Sequence, residues 1–317
     1  MVILCGAALS VPMFAQPENQ LPVQTPSAQP QPPDFIPQTA QPASDKPLPD
    51  IVAVMHDVEI NQRKAEAIEK NYLYHSVETA QELDSHGALK KTSVTEADHY
   101  FVNGVRVRRV VKKDGKALSP EEIAHEDQRI EKEAAKAREK RDKADAAGKP
   151  TNSRGDEEIS VSRLIELGRF TNARRVQFHG RDTIAVDYEG DPKAKTHNRA
   201  EDAIRDLRGT AWIDEADRML VQVEGRFVNA FKVGGGLVVN IQKDTHFTME
   251  QTKVNDEVWL PASISAQGAA RVLLFLHFNG NIRAVESDYR KFRATSTVLP
   301  GVTQVDQAQP PDSTVRP

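Results

Sequence analysis

Three acidic residues, Asp214, Glu215 and Asp217, lie within the segment GTAWIDEADRMLVQVEG at 209–225. Grouped carboxylates are a common means of general acid and base chemistry, including glycoside hydrolysis, so they are the first candidates for a reactive site. Apolar residues alternate with polar residues on both sides of the acids, which is typical of half-buried strands. A polar cluster between two such runs marks a hairpin connection. We therefore predict that the three acids form a turn.

The other reactive residue types are scattered along the chain. None of the nine histidines has the spacing of a metal-binding motif, and His179, His246 and His277 would meet only if the fold brought their strands together. The glycines of VGGGLVV at 233–239 precede a β-type run, so they predict a bend in a sheet and not a phosphate-binding loop. No nucleophile motif of the GxSxG type occurs. The sequence thus predicts no catalytic residue, no metal site and no cofactor.

The chain begins with an apolar run that resembles the core of a secretory signal at 1–15, with cleavage expected after Ala15. No basic residue precedes the run, which leaves open a start further upstream. Cys5 is the only cysteine, and it is either a small apolar residue of this run or a lipid-attachment site. The run is too short to span a bilayer, so we predict no integral membrane span. We expect an exported protein of the periplasm or cell envelope.

Composition divides the rest of the chain. Residues 16–49 are rich in Pro and Gln, and the tail at 300–317 is similar, so both are predicted to be disordered. Between them we predict one domain at 50–299. The net charge of −4 gives no general attraction to nucleic acid, so no nucleic-acid partner is expected.

Within this domain, apolar spacing predicts a helix from Asp50 and then roughly ten to twelve antiparallel strands. A helical insertion interrupts them at 119–147, where Ser119 offers an N-cap and few large apolar residues follow. We predict that this long charged helix is exposed, as a spacer or as an arm that docks a partner. The predicted fold class is α+β and mainly antiparallel β: a curved, unclosed, barrel-like sheet with covering helices.

Two strands stand out from this pattern. The run VRVRRVVKK at 105–113 places Arg106 and Arg108 on one face, which is either solvated or in contact with anionic headgroups or an acidic partner. The run RVLLFLHF at 271–278 is apolar on both faces, with Leu273 and Phe275 on one of them. A sheet with one face in water does not tolerate such a strand, so helices or an apolar ligand must cover both sides.

Three segments carry a family resemblance: the leader followed by the amphipathic helix AVMHDVEINQRKAEAIEKN, the hairpin GTAWIDEADRMLVQVEG, and the strand DEVWLPASISA. With them the chain resembles the outer-membrane lipoprotein-carrier superfamily, which includes periplasmic lipoprotein-sorting proteins and related anti-sigma regulators. The resemblance covers 50–75 and 160–295, and the insertion and the Pro/Gln-rich leader depart from it. It implies an unclosed antiparallel barrel whose concave side, lidded by helices, holds acyl chains.

We therefore predict a non-enzymatic protein that binds a lipid or an acylated protein on the concave face of a curved sheet. The residues predicted to contact the ligand are the two tryptophans and one face of the doubly apolar strand: Trp212, Trp259, Val272, Leu274, Leu276 and Phe278. One alternative is an envelope interaction or structural module with an envelope protein as partner, docked through 119–147. Another alternative is an exported hydrolase, which would require histidines or carboxylates from different strands to meet.

Overall fold

The computed structural model describes residues 41–42, 46–149, 151–156, 158–233, 239–272 and 276–291. The helices of this part of the chain are Ile51–Glu69 (α1), Pro120–Ala146 (α2), Val161–Leu167 (α3) and Arg199–Arg205 (α4). The strands are Gln41–Pro42 (β1), Tyr72–Leu83 (β2), Leu89–Val102 (β3), Val105–Lys113 (β4), Lys116–Ala117 (β5), Gly168–Phe178 (β6), Arg181–Gly190 (β7), Leu207–Asp214 (β8), Met219–Phe227 (β9), Phe231–Val233 (β10), Val239–Ile241 (β11), His246–Val254 (β12), Val258–Val272 (β13) and Leu276–Lys291 (β14).

These strands form one antiparallel sheet in the order β1-β6-β7-β8-β9-β12-β13-β14-β2-β3-β4-β5, with β10 and β11 attached to β13. Among the described strands, the two ends of this order do not pair with each other, so the sheet is open. Register shifts interrupt several strand pairs, for example between Trp212 and Ile213 on β8 and between Glu250 and Gln251 on β12. Such bulges bend a sheet locally. The predicted curved, unclosed antiparallel architecture is confirmed.

Local sequence signals account for the first elements. The side chain of Asp50 caps α1 by accepting a hydrogen bond from the backbone N–H of Ala53 at 2.8 Å. Asn103 and Gly104 join β3 to β4 with φ angles of 50° and 75°, as the tight turn of a hairpin requires. The helix predicted from Asp50 is therefore confirmed.

The core lies between the sheet and two of the helices. Val54, Met55 and Val58 of α1 and Val161 of α3 are buried together against side chains of the sheet: Ile184, Val186, Ile213 and Leu220. We call this side of the sheet the inner face and the opposite side the outer face. Adjacent residues of a strand point to opposite faces, so this packing fixes the side on which every neighbouring residue lies.

The charged helix α2 covers the outer face at the far end of the sheet. A narrow stripe of α2, Ile130, Ala134 and Ala137, is buried against Val105 and Val107 of β4. Most of the remaining surface of α2 is exposed, so the predicted long charged helix is confirmed. The structure differs from the expectation of a wholly solvated helix, because alanines let α2 approach the sheet closely without large apolar side chains.

The same helix satisfies the edge of the sheet. Glu126 accepts a hydrogen bond from the backbone N–H of Val110 at 3.1 Å, and Arg129 donates to the carbonyl oxygen of Arg108 at 2.5 Å. Arg141 donates to the carbonyl oxygen of Gly104 at 3.1 Å. Exposed strand edges invite pairing with other chains, and a covering helix prevents this. The charges of α2 that predicted a solvated surface thus partly serve as edge caps.

The terminal predictions stay untested. The leader at 1–15, the tail at 300–317 and most of 16–49 lie outside the described residues, and so does the glycine run at 234–238.

We predict that Ile130→Ala lowers the free energy of unfolding by about 2 kcal/mol, because it removes the largest buried side chain between α2 and β4. Urea denaturation followed by circular dichroism measures the change. Ile123→Ala is the matched control on the same helix, since Ile123 is exposed and its truncation should cost less than about 0.5 kcal/mol. Equal losses in the two variants would contradict the docked arrangement of α2.

Candidate functional site

Two adjacent rows of small and apolar residues cross the inner face from strand to strand. The first row, in register order, consists of Gly209, Gly225, Phe247, Ala266, Ile282 and Ala80. The second consists of Ala211, Val223, Met249, Ile264 and Ala284. Residues that face each other across an antiparallel pair project to the same side, so the two rows form one continuous surface. We call this surface the apolar band.

One end of the apolar band is covered by helices and remains partly open to solvent. Helices α1, α3 and α4 cover it there through Met55, Leu164 and Ile204 and leave a cavity of about 70 Å³ above the sheet. About 10–15 Å³ of such a volume accommodates one water molecule, so this space would hold several. Its surface is almost wholly apolar, and waters inside it would lack hydrogen-bond partners. Such a cavity favours an apolar group over water.

A pair of glycines forms the floor of this cavity. Gly209 and Gly225 face each other across β8 and β9. A Cβ atom on Gly209 would lie 2.0 Å from the carbonyl oxygen of Glu224, and one on Gly225 would lie 2.8 Å from the ring of Phe247. Gly209 therefore requires glycine, because a side chain would meet the backbone of the neighbouring strand, whereas a side chain at Gly225 would require the ring of Phe247 to shift. Neither residue places a side chain between the sheet and the helices.

The other end of the apolar band is open. Ile264, Ala266, Ile282, Ala284 and Ala80 are only half-buried, although they continue the rows that the helices cover at the first end. The inner face therefore changes from a helix-covered cavity near β8 and β9 to an accessible trough over β13, β14 and β2.

A polar group lies at the margin of this trough. Glu286 follows Ala284 on the inner face of β14 and lies opposite Ser76 of β2. Its side chain is buried, with the residue 8% exposed, and within the described structure Oε2 has no hydrogen-bond partner. Burial raises the pKa of Glu286 to about 7. The nearby charge of Glu78 also raises this pKa, whereas the charge of Arg106 lowers it.

A serine and a histidine meet beside Glu286. Ser76 Oγ lies 2.9 Å from His99 Nε2, and the His99 ring stacks on Tyr74 at 4.7 Å between centroids. Burial lowers the pKa of His99 to about 3, and the charges of Arg108 and Arg106 act in the same direction. A general base works best when its pKa is near the ambient pH, so His99 is a very weak base. With Ser76 only 2% exposed, the pair serves as a buried hydrogen bond.

Two arginines of the basic run, Arg106 and Arg108, face inward. Arg106 forms an ion pair with Glu69 at the end of α1, and Arg108 lies 3.5 Å from Glu78. Both guanidinium groups are half-buried, so the expectation that this strand face is solvated is wrong. Its charges are instead paired within the protein, because α1 and β2 bring carboxylates over β4.

Asp214, Glu215 and Asp217 lie at the turn that connects β8 to β9, as predicted. Asp214 is buried and forms an ion pair with Arg181, which also lies 3.0 Å from Asp217. Asp217 accepts further hydrogen bonds from Trp259 Nε1 at 2.9 Å and Lys253 at 3.0 Å. Burial opposes its ionisation, yet these donors and charges hold the pKa of Asp217 below its usual value. The cluster is a tied turn with every acid engaged by a cation.

Glu215 ties the turn to the start of the domain. It accepts two hydrogen bonds of 2.7 Å from Arg175 of β6. Arg175 also donates to the carbonyl oxygen of Lys46 at 2.6 Å, just before α1. These contacts fix the angle at which the chain enters α1, and α1 in turn covers the cavity.

The structure brings the two predicted tryptophans together, away from the cavity. Trp212 pairs with Ala185 on the outer face, where Trp259 packs against the same cluster. Ile213, the neighbour of Trp212, is on the inner face. Neither tryptophan lines the cavity.

The side chains of the ligand-contact residues predicted on the doubly apolar strand lie outside the described part of the structure. Val272, Leu276 and Phe278 belong to β13 and β14, but their side chains lie outside the described part, as does the whole of Leu274. Their predicted contact with a ligand stays a prediction.

Sequence reasoning missed Gly209, Gly225 and Glu286. A signal existed for Glu286, because Ile282, Ala284 and Glu286 alternate along IRAVESDY and an acid at an inward position is unusual. For the glycines the signal was weaker: each interrupts an alternating strand pattern, which indicates a bulge or a close approach of backbone.

A scan against protein families and a search of curated proteins found no match to the sequence. Solved structures do match the fold. A domain from Vibrio parahaemolyticus described as an outer membrane lipoprotein-sorting protein has 11% identity, 77% coverage of this chain and 93% of its own, and a TM-score of 0.34. A DUF1329 family protein from Desulfovibrio piger has 9% identity, 78% and 96% coverage, and a TM-score of 0.33.

The MucA/MucB complex of Pseudomonas aeruginosa also matches, with 8% identity, coverage of 75% of this chain and 100% of that chain, and a TM-score of 0.21. The predicted resemblance to lipoprotein-sorting proteins is confirmed in that the fold search returns proteins of this kind. None of the helices in the described ranges is both long and apolar enough to cross a bilayer.

We predict that stability falls by about 2–3 kcal/mol as the pH rises from about 4.5 to about 7, because folded Glu286 keeps its proton while the unfolded carboxyl loses it. The penalty becomes complete and constant about one pH unit above the folded pKa of about 7. Glu286→Gln should remove this dependence, since the amide does not titrate. The groups facing Glu286 are Glu78, Arg106, Tyr74 and Tyr289.

Urea denaturation at several pH values measures this difference. Glu131→Gln is the control, since Glu131 is an exposed acid on α2. A wild-type profile that Glu286→Gln leaves unchanged would show that Glu286 is solvated.

Proposed function

We propose that this protein binds the apolar chain of an amphiphilic ligand along the apolar band of the inner face. The single observation that carries the proposal is the apolar cavity between α1, α3, α4 and the paired glycines Gly209 and Gly225. The end of the ligand's hydrocarbon chain would occupy this cavity. The rest of the ligand would lie over Ala266 and Ile282, toward the open edge of the trough.

The energetics favour a hydrocarbon chain. Each methylene group taken from water contributes about 0.8 kcal/mol, so a few buried methylenes give useful affinity without any polar contact. The cavity is smaller than a whole lipid, and we therefore expect it to take the last few carbons of a chain. The half-buried residues of the open trough would cover one side of the remainder, and this exposure suits a protein that also releases its ligand.

The ligand class is a lipid or an acylated protein, as the sequence resemblance implies. The signal-like run at 1–15 supports export to the periplasm or cell envelope, where such ligands occur. The weak basicity of His99 and the burial of Ser76 favour a binding role over hydrolysis at this position.

The alternative is that the protein is an envelope interaction module whose partner docks on α2. The exposed charged surface of α2 supports it. Against it, Glu126 and Arg129 use their charges on the edge of β4, so part of the helix already has a structural role. We therefore place ligand binding first.

We predict that Ala211→Leu weakens binding of a dansyl-labelled fatty acid by about tenfold or more. Ala211 lines the cavity, and the added carbons occupy the space that the ligand would use. Displacing even two methylenes costs about 1.6 kcal/mol, which corresponds to slightly more than tenfold in affinity. Fluorescence titration of delipidated protein measures the change.

Ser263→Leu is the matched control, because it adds the same side chain on the outer face, opposite the exposed Val285. It should leave the affinity within about twofold of the wild type, which is less than 0.5 kcal/mol. Absence of probe binding to the wild-type protein, or equal weakening in both variants, would overturn the proposed site.

A further inference from the structure

We propose that Glu286 binds a primary ammonium group of the ligand, so that the protein selects amine-bearing amphiphiles. This inference rests on the proposed function, since the apolar chain of the same ligand would lie on the apolar band. It assigns the polar end of the ligand to the margin of the trough, where β14 turns from apolar to acidic.

The first argument is the state of the carboxyl group. Glu286 is more than nine-tenths buried, and Oε2 has no hydrogen-bond partner among the described residues. Moving a carboxylate oxygen from water into the protein without a hydrogen-bond donor carries a large desolvation penalty. This penalty exceeds the net stabilisation that a typical hydrogen bond provides. A ligand that donates N–H groups would supply this compensation.

The second argument is the charge balance of the inner face. Arg106 forms its ion pair with Glu69, and Arg108 has Glu78 as its neighbour at 3.5 Å. Each of these two guanidinium groups thus has a carboxylate partner, and Arg154 and Glu66 add one further charge of each sign to this region. Among the described residues no cation lies within ion-pair distance of Glu286, so the ammonium group of a ligand would be its first direct cationic partner.

The raised pKa of Glu286 is consistent with this balance. With a pKa of about 7, the group is partly ionised near neutral pH and gains stability from an adjacent positive charge. The ammonium of an amphiphile keeps its proton at this pH, because its pKa is near that of a lysine side chain.

The third argument is distance. Val223 on β9 and Ala284 on β14 are separated by three strand spacings, which is about 14 Å, and Glu286 lies two residues further along β14, which is about 7 Å. The path from the cavity to Glu286 is therefore roughly 15 Å. This is comparable with an extended dodecyl chain, so one single-chain amphiphile reaches from the cavity to the acid.

The test compares three probes with the same chain: dodecylamine, dodecanol and dodecanoate. Isothermal titration of delipidated full-length protein at pH 7.5, below the micellar concentration of each probe, gives their affinities. We expect dodecylamine to bind about tenfold or more tightly than dodecanol, as a charged hydrogen bond typically provides, and dodecanoate to bind most weakly. Glu286→Gln should abolish the preference for the amine and leave the affinity for dodecanol unchanged.

Glu78→Gln is the matched control, because Glu78 is the other inner-face carboxyl of the trough but has Arg108 beside it. It should keep the preference for dodecylamine. Equal binding of the amine and the alcohol, or a preference that survives Glu286→Gln, would overturn the inference while leaving the proposed function intact. Failure of all three probes to bind would instead refute the proposed function.

Discussion

The fold depends on the need to cover both faces of a very wide antiparallel sheet. The described part of the chain has four helices for fourteen strands, so the helices cover only part of the sheet. Helices α1, α3 and α4 cover the inner face at one end, and α2 covers the outer face at the other. The inner face between these helices keeps small and apolar residues without a complete cover, and this remainder is the surface we assign to a ligand.

Within that surface, side-chain size sets the depth that we propose for a ligand. The paired Gly209 and Gly225 leave a depression under the helices, and alanines continue it across the sheet. The depression ends at a polar margin on β14, where the inner-face residue after Ala284 is Glu286. The arrangement separates an apolar end from an acidic end, which is the division that an amphiphile requires. The tied turn holds α1 over the apolar end, because Asn61 of α1 donates to the carbonyl oxygen of Asp217 and Arg175 joins Glu215 to Lys46.

Much of the fold follows from local pattern, whereas the site follows from register. Apolar alternation predicted an antiparallel sheet that includes the strand at 105–113, and Asp50 and Ser119 predicted their helices. A bulge at Val221 shifts the β8–β9 hairpin by one residue and so pairs the two glycines, which no local pattern reveals. The same dependence on strand pairing put Trp212 on the outer face. The docking of α2 was hidden because its buried stripe is mostly alanine.

The most direct test of the account is to ask what the protein carries. The full-length protein, purified without detergent, would be extracted with organic solvent, and the extract analysed by mass spectrometry against a mock purification. The account predicts a long-chain amphiphile in near-stoichiometric amount, reduced in the Ala211→Leu variant. Protein that is folded, carries no such molecule and accepts none on addition would contradict it.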